Sequence, residues 1–147
     1  MYAYQHTQRS KILFCIIILI LLFMLFLMFR FGFNWINVVV FIIMVVALYL
    51  FNSLVVQVSS DKIYVAFGSG LIRKNIPFTI IKSAEKVRNK WYYGFGIRLI
   101  PSGQMYNVAG LDAIELKLTN GRVFRIGTDE PDKLLEAIAS NLEKTMN

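Results

Sequence analysis

The chain has 147 residues, of which 56% are hydrophobic, and a formal net charge of +7. Beside a membrane segment, this length holds one small domain of about 90 residues and excludes a second folded domain. The single cysteine, Cys15, excludes an internal disulfide bond and a cysteine-based metal site. A basic balance is typical of chains that meet nucleic acid or anionic membranes, and the apolar N-terminal part favours the membrane.

Two long apolar segments dominate the first third of the sequence. Ile12–Phe29 contains no charged residue, and a bilayer core of roughly 30 Å requires about 20 apolar residues in a helix. Arg30 and Asn34 interrupt the run, and Trp35–Val56 then continues it with polar residues only near its ends. The pattern predicts a transmembrane helical hairpin over residues 11–56.

The positive charges beside the apolar segments predict the orientation of the hairpin. Basic residues flank its outer ends at Arg9, Lys11, Lys62, Arg73 and Lys74, whereas Arg30 alone lies in the hinge. Because cytoplasmic flanks carry an excess of Lys and Arg, both termini are expected to be cytoplasmic, with residues 1–10 as a cytoplasmic tail. A cleaved signal peptide is disfavoured, because the apolar run is longer than usual and no small-residue cleavage site follows it.

After the hairpin the sequence changes from continuous apolar runs to short alternating segments. β-Branched and aromatic residues alternate with polar ones between Gly, Asn, Ser and Pro, which indicates strands. Asn120 and Gly121 predict a type I′ hairpin turn. Pro131, followed by an apolar stripe that begins at Leu134, predicts one C-terminal amphipathic helix. Residues 57–147 are therefore expected to form one small α+β domain.

Three segments of this domain resemble the bacterial pleckstrin-homology (PH) domain proteins. The segments are Trp91–Arg98, Tyr106–Gly110 and Arg125–Pro131, and they occur in the order expected of that family. The family places one or two membrane spans ahead of a small β-barrel. The resemblance implies a PH-like β-barrel of about seven antiparallel strands with one C-terminal helix, at the bacterial inner (cytoplasmic) membrane. It implies no activity, since these domains are not known as a catalytic class.

No combination of residues in the sequence is typical of an active site or a metal site. The only histidine is His6, and a metal or nucleophile site needs several convergent donors. Asp112 and Glu115 lie three positions apart in a predicted strand, which sends their side chains to opposite faces. Gly94 and Gly96 begin a glycine-rich motif, but neither the third glycine nor the helix of a dinucleotide site follows. We therefore expect a non-enzymatic protein with no catalytic residue, cofactor or metal.

One stretch that mixes cations with aromatic side chains is the candidate lipid or partner surface. Its residues are Lys82, Lys86, Arg88, Lys90, Trp91, Tyr92, Tyr93 and Arg98. Such a mixture suits lipid headgroups through charge attraction and insertion of rings at the interface. It is also typical of a solvated strand face beside core aromatics, and we favour that interpretation. Single-stranded nucleic acid binds similar surfaces, but the membrane anchor makes it the weaker choice and no nucleic-acid partner is expected.

The leading functional hypothesis is a membrane-anchored, non-enzymatic scaffold module. It is expected to associate with itself as a homo-oligomer, or with another membrane protein, by strand addition at exposed sheet edges. One alternative is a two-span β-barrel effector or immunity-type protein, in which the hairpin acts on the membrane and the domain senses a ligand. A second alternative is peripheral recognition of anionic lipids through the cationic and aromatic stretch.

Overall fold

A computed structural model describes residues 3–146, and in this range the chain forms three α-helices and nine β-strands. The helices are α1 (Lys11–Phe31), α2 (Trp35–Phe51) and α3 (Pro131–Met146). The strands are β1 (Tyr4–Arg9), β2 (Ser53–Val58), β3 (Lys62–Phe67), β4 (Ile72–Pro77), β5 (Ile81–Arg88), β6 (Gly96–Ile100), β7 (Gly103–Asn107), β8 (Asp112–Leu118) and β9 (Val123–Gly127). Short 3₁₀ turns span Phe78–Ile80 and Trp91–Tyr93. The fold is therefore α+β, with the helical hairpin near the N-terminus.

The apolar helices α1 and α2 form the hairpin predicted from the sequence. The Ser10 hydroxyl accepts a hydrogen bond from the Leu13 N–H at 3.2 Å, and the Asn34 side-chain Oδ1 accepts one from the Ile36 N–H at 2.9 Å, so each helix begins at a side-chain cap. In residues 3–146, α1 is the one helix long and apolar enough to cross a membrane, a property that spans and signal sequences share. The 17 residues of α2 make a helix of roughly 26 Å, which is short of a full bilayer core.

The second apolar segment ends earlier than the sequence-based boundary at Val56. α2 stops at Phe51, and the next residues form β2, in which buried and half-buried side chains alternate. Leu54 and Val56 enter the domain core, while Val55 lies on the other face of the strand. The prediction was wrong here because an apolar strand with period-two burial reads, by composition alone, as the continuation of an apolar helix.

The first sheet has the order β1-β2-β3-β4, and all of its neighbouring pairs are antiparallel. Since β1 precedes α1 and β2 follows α2, the hairpin leaves the sheet from one strand and returns into the adjacent strand. Tyr4 lies opposite Val58, and Arg9 lies opposite Ser53. Tyr4–Arg9, which were interpreted from the sequence as part of a tail, thus belong to the sheet, and a domain that begins at residue 57 omits β1 and most of β2.

The second sheet has the order β5-β8-β9-β7-β6 and contains one parallel pair, β7 with β9. The expectation of an all-antiparallel barrel was wrong in this pairing, and within residues 3–146 the two sheets do not close into a barrel. The parallel contact is close because Gly103 lies opposite Val123, where a Cβ on the glycine would be only 1.9 Å from the Val123 carbonyl oxygen. Glycine at position 103 therefore allows β7 to lie this close to β9.

The predicted hairpin between β8 and β9 is present, but its turn is not of type I′. The Gly121 N–H donates to the Leu118 carbonyl at 3.0 Å, and the Leu118 N–H donates to the Arg122 carbonyl at 2.9 Å. A type I′ turn needs two residues with positive φ, and among residues 3–146 only glycines have positive φ, including Gly121 at +79°. The Asn120 side chain instead accepts a hydrogen bond from the Arg122 N–H. This contact favours a turn whose two central residues, Thr119 and Asn120, have negative φ, followed by Gly121 in the left-handed region.

The hydrophobic core lies between the two sheets and under α3. Its largest fully buried aromatic side chains are Phe67, Phe78 and Phe124. Leu134 and Ile138 of α3 are fully buried and Leu142 is nearly so, as the predicted stripe requires, whereas Leu135 of that stripe is only partly buried. Burial of each such side chain contributes about 1.5–3 kcal/mol, so α3 is an integral part of the domain.

Candidate membrane-facing surface

The segment from Asn89 to Arg98, here called the aromatic loop, carries most of the predicted surface. Trp91 and Tyr92 are 81% and 59% exposed. The ring of Tyr92 lies edge-on to both neighbours, with centroid distances of 5.9 Å to Trp91 and 5.2 Å to Tyr93. The Lys90 ammonium is 5.6 Å from the Tyr92 ring centre, and this tyrosine raises the pKa of Lys90 above its ordinary value. Exposed rings and a retained positive charge therefore occur side by side.

The aromatic loop lies next to the base of the helical hairpin. A cleft of about 600 Å³ is lined by apolar side chains of α1 and α2, among them Leu13 and Met44, and on its other side by Gly94–Arg98. A Cβ on Gly96 would be 3.9 Å from the Phe51 ring, which is ordinary contact with the last residue of α2. The loop thus continues the apolar surface of the hairpin where the helices enter the domain.

A mostly buried ion pair holds the aromatic loop on the outer face of the second sheet. The Arg125 Nε donates to Glu115 Oε2 at 2.6 Å, and the exposed fractions of these side chains are 17% and 9%. The same guanidinium donates to Asn89 Oδ1 at 3.2 Å and lies 6.0 Å from the Tyr93 ring centre. The Asn89 N–H also donates to the Leu111 carbonyl at 2.6 Å. Arg125 therefore joins two central strands to the start of the loop.

The remaining predicted cations lie on β5 and not in the loop. Lys82 is exposed at an irregularity in the pairing of β5 with β8, and Arg88 is exposed opposite Asp112. Lys86 forms an ion pair with Asp132 of α3 at 2.8 Å, so it contributes to packing within the domain. The structure thus groups Lys90 through Tyr93 and places the Arg98 guanidinium next to Gly94 at the end of that group, and it separates the three β5 cations from them.

Sequence reasoning missed the exposed apolar residue Leu71, which lies in a turn at the end of α2. It is 73% exposed and follows the turn at Gly68, whose N–H donates to the Ser53 carbonyl at 2.9 Å. A Cβ on Gly68 would be 2.7 Å from the Leu50 carbonyl oxygen, so this turn packs tightly against the end of α2. Gly68, Ser69 and Gly70 are typical turn residues, but only the folded chain shows that this turn lies against the end of α2.

The acidic residues and the histidine form structural contacts instead of a metal cluster. His6 Nε2 lies 2.7 Å from Asp129 and His6 Nδ1 lies 3.5 Å from Glu130, which joins β1 to the start of α3. Asp112 is exposed and Glu115 is buried with Arg125, as expected for opposite faces of one strand. In residues 3–146, no group of three His, Cys, Asp or Glu side chains has the geometry to hold a metal ion.

Comparisons of the chain with models of known protein families, with curated proteins and with solved structures find no match. Function must therefore be inferred from the chemistry of the surfaces described above.

Proposed function

We propose that this protein is a two-span membrane module that holds a PH-like, non-enzymatic interaction domain at the cytoplasmic face of the bacterial inner membrane. The observation that carries the proposal is the pairing of β1 with β2, because it ties both ends of the hairpin to one sheet. A domain attached by two paired strands has a fixed orientation to its anchor, unlike a domain on a flexible linker. Strands followed by a single C-terminal helix that covers the core are compatible with the PH-like interpretation.

The same pairing supports a retained anchor over a cleaved signal sequence. Cleavage after α1 would remove β1, including the buried Gln8, whose side-chain amide donates to the Ala109 carbonyl at 3.0 Å. It would also expose one edge of β2 to solvent. The short α2 is accommodated by local thinning of the bilayer or by tilt differences between the helices, each at a modest energetic cost.

The proposed interaction is self-association through the free edge of β6. No strand among residues 3–146 pairs with the outer side of β6, and its Leu99 is 87% exposed. The edge strands β4 and β5 carry outward lysine or arginine side chains, β4 ends at Pro77, and the remaining edge strand β1 carries the exposed Arg9. These features oppose strand addition. β6 has fewer such features, and it begins next to the hairpin, where two copies meet in the plane of a membrane.

Substitution of Leu99 by lysine is expected to reduce the assembled mass of the full-length protein in uncharged detergent micelles. A charge on the exposed edge opposes pairing with a second strand. Size-exclusion chromatography with light scattering measures the mass, and Leu71→Lys is the matched control because Leu71 is similarly exposed but lies in a turn. A monomeric wild-type protein contradicts self-association. If Leu99→Lys and Leu71→Lys reduce the assembled mass equally, the copies associate through exposed apolar side chains in general and not specifically through β6.

Recognition of anionic lipid by the aromatic loop is a second candidate function. The specific observation is that exposed Trp91 and Tyr92 lie on a loop that contacts the hairpin base, with Lys90 and Arg98 beside them. Indole and phenol rings partition into the headgroup region, and basic side chains there are attracted by anionic lipid at about 1 kcal/mol each. This position favours the lipid interpretation over a solvated strand face for the loop, though not for the β5 cations.

The two tryptophans of the chain allow a direct test of this second function. In a Trp35→Phe background, the fluorescence of Trp91 in nanodiscs is expected to be quenched by brominated lipid and to shift to shorter wavelength. Anionic nanodiscs should enlarge the shift, and salt should reverse that increment because it screens exposed charges. Trp35 in a Trp91→Phe background is the control for a ring at the hairpin. Quenching of Trp91 by aqueous iodide, with no response to brominated lipid, would exclude the loop from the membrane.

A further inference from the structure

A second cleft, away from the aromatic loop, lies where the two sheets separate. It has a volume of about 600 Å³ and is lined by β4, the β6–β7 turn and the β8–β9 turn. Lys74 projects into it from β4, on the face of the strand that also carries the buried Ile76. An inward lysine between apolar neighbours is costly to bury unless a partner compensates its charge.

Within the described part of the chain, the positive charges in this cleft have no acidic partner. The Lys74 ammonium donates to Gln104 Oε1 at 2.8 Å and lies 4.4 Å from the Phe124 ring centre. Arg122 also lines the cleft, and within residues 3–146 neither cation forms an ion pair with a carboxylate. Burial and the charge of Arg122 lower the pKa of Lys74 below its ordinary value. The two like charges therefore repel each other across an open space.

The rest of the lining is apolar or neutral. Leu99, which is 87% exposed, and the half-buried Leu118 provide hydrophobic surface, while Ser102 and Asn120 add uncharged polar groups at the turns. No aspartate or glutamate lines this cleft in the described part of the chain. An anion placed between the two cations would relieve their repulsion and add charge-assisted hydrogen bonds, and an attached apolar group would be buried against Leu99 and Leu118.

We propose that this cleft binds a small amphipathic anion, with its carboxylate, sulfonate or phosphate between Lys74 and Arg122 and its apolar part on Leu99 and Leu118. The source is a free metabolite-sized anion or the end of an anionic lipid, since both present this chemistry. The site is separate from the exposed rings of the aromatic loop. It shares Leu99 with the β6 edge, but binding of the anion does not require self-association. The alternative explanation is that Lys74, as an inward charge on the edge strand β4, only discourages pairing of that edge with another strand. That explanation predicts that no anion binds in the cleft.

Competitive amine acetylation of the full-length protein in uncharged detergent micelles tests the proposal. The probe is 2-naphthoate, which combines a carboxylate with an apolar ring system, and inorganic phosphate serves as the probe for charge alone. Mass spectrometry is expected to show that 2-naphthoate protects Lys74 from acetylation but leaves Lys62, an exposed lysine on β3, unprotected. Phosphate should protect more weakly, because it gains nothing from the apolar floor. A parallel comparison in nanodiscs with and without phosphatidylglycerol identifies lipid as the source if that lipid protects Lys74.

Variants separate binding at this cleft from general attraction of anions. Titration calorimetry should find 2-naphthoate binding about tenfold weaker in Lys74→Met and in Arg122→Gln, since each loses one charge-assisted contact. Arg73→Gln, which removes an exposed charge on the opposite face of β4, should leave the affinity unchanged. Arg122 is exposed in a turn, so its variant tests the site even if Lys74→Met fails to fold. Unchanged binding in Arg122→Gln, equal effects in Arg73→Gln, or the absence of Lys74 protection by every probe would overturn the proposal.

Discussion

Replacement of Arg125 by methionine is expected to lower the free energy of unfolding by about 3–5 kcal/mol. The substitution leaves the Glu115 carboxylate, 9% exposed, without the guanidinium that lies 2.6 Å from it. A buried charge that loses its partner keeps the cost of desolvation and loses the compensating attraction. Denaturant or thermal unfolding of the full-length protein in micelles, followed by circular dichroism, measures the change.

Two further variants separate this explanation from a loss of packing alone. In Arg125→Met with Glu115→Leu, both charges are absent, and much of the lost stability is expected to return because an apolar pair needs no compensation. Lys117→Met removes the exposed partner of Glu85 on the same outer face of the sheet, at 2.7 Å, and should have a much smaller effect. If the double variant is no more stable than Arg125→Met, the buried charge is not the cause.

The same substitution should loosen the aromatic loop selectively. Arg125 contacts both Asn89 and Tyr93, so its loss removes the attachment of the loop to β9. Hydrogen exchange is expected to accelerate in residues 90–95 at denaturant concentrations where the α3 amides remain protected. In the double variant the stability returns but this loop attachment does not. Such a result would distinguish the role of Arg125 in holding the candidate surface from its role in stability.

Local sequence patterns predicted the elements whose signal is carried by neighbouring residues. The continuous apolar runs identified α1 and α2, and Pro131 with the stripe from Leu134 identified α3. The alternation after Val56 identified strands, and Asn120–Gly121 identified the position of a hairpin although not its turn type. These features depend on short-range periodicity and backbone preferences, which are present in the sequence itself.

Features that depend on distant pairing were not predictable in this way. β1 carries polar residues on both faces, His6 and Gln8 on one and Gln5 and Thr7 on the other, so it shows no apolar alternation, and its partner β2 lies beyond the hairpin. The parallel pairing of β7 with β9 and the position of Lys74 between the sheets likewise arise only when separate segments meet. The sequence pointed to the cations and aromatic residues of the candidate surface, but it did not indicate that Lys86 forms an ion pair with Asp132 of α3.

Proline at position 8 is expected to detach β1 and to lower the free energy of unfolding by about 3 kcal/mol. The Ser10 N–H donates to the Asn52 carbonyl, and hydrogen-bonded pairs alternate along an antiparallel ladder, so Gln8 opposite Leu54 is also a hydrogen-bonded pair. Gln8→Pro removes a donor of that ladder, whereas Thr7→Pro, at the intervening outward-facing position of an edge strand, should be tolerated. Gln8→Ala measures the contribution of the side chain alone, which donates to the Ala109 carbonyl.

Hydrogen exchange distinguishes detachment of β1 from unfolding of the whole domain. By the same alternation, the amides of Leu54 and Val56 point to β1, and those of Val55 and Gln57 point to β3. In Gln8→Pro the first two amides should exchange faster while the second two stay protected, because β2 keeps its pairing with β3. Equal acceleration at all four amides would mean that the sheet unfolds as one unit. No acceleration in Gln8→Pro would mean that β1 does not hold the hairpin to the sheet, and the fixed orientation on which the membrane-module proposal rests would be lost.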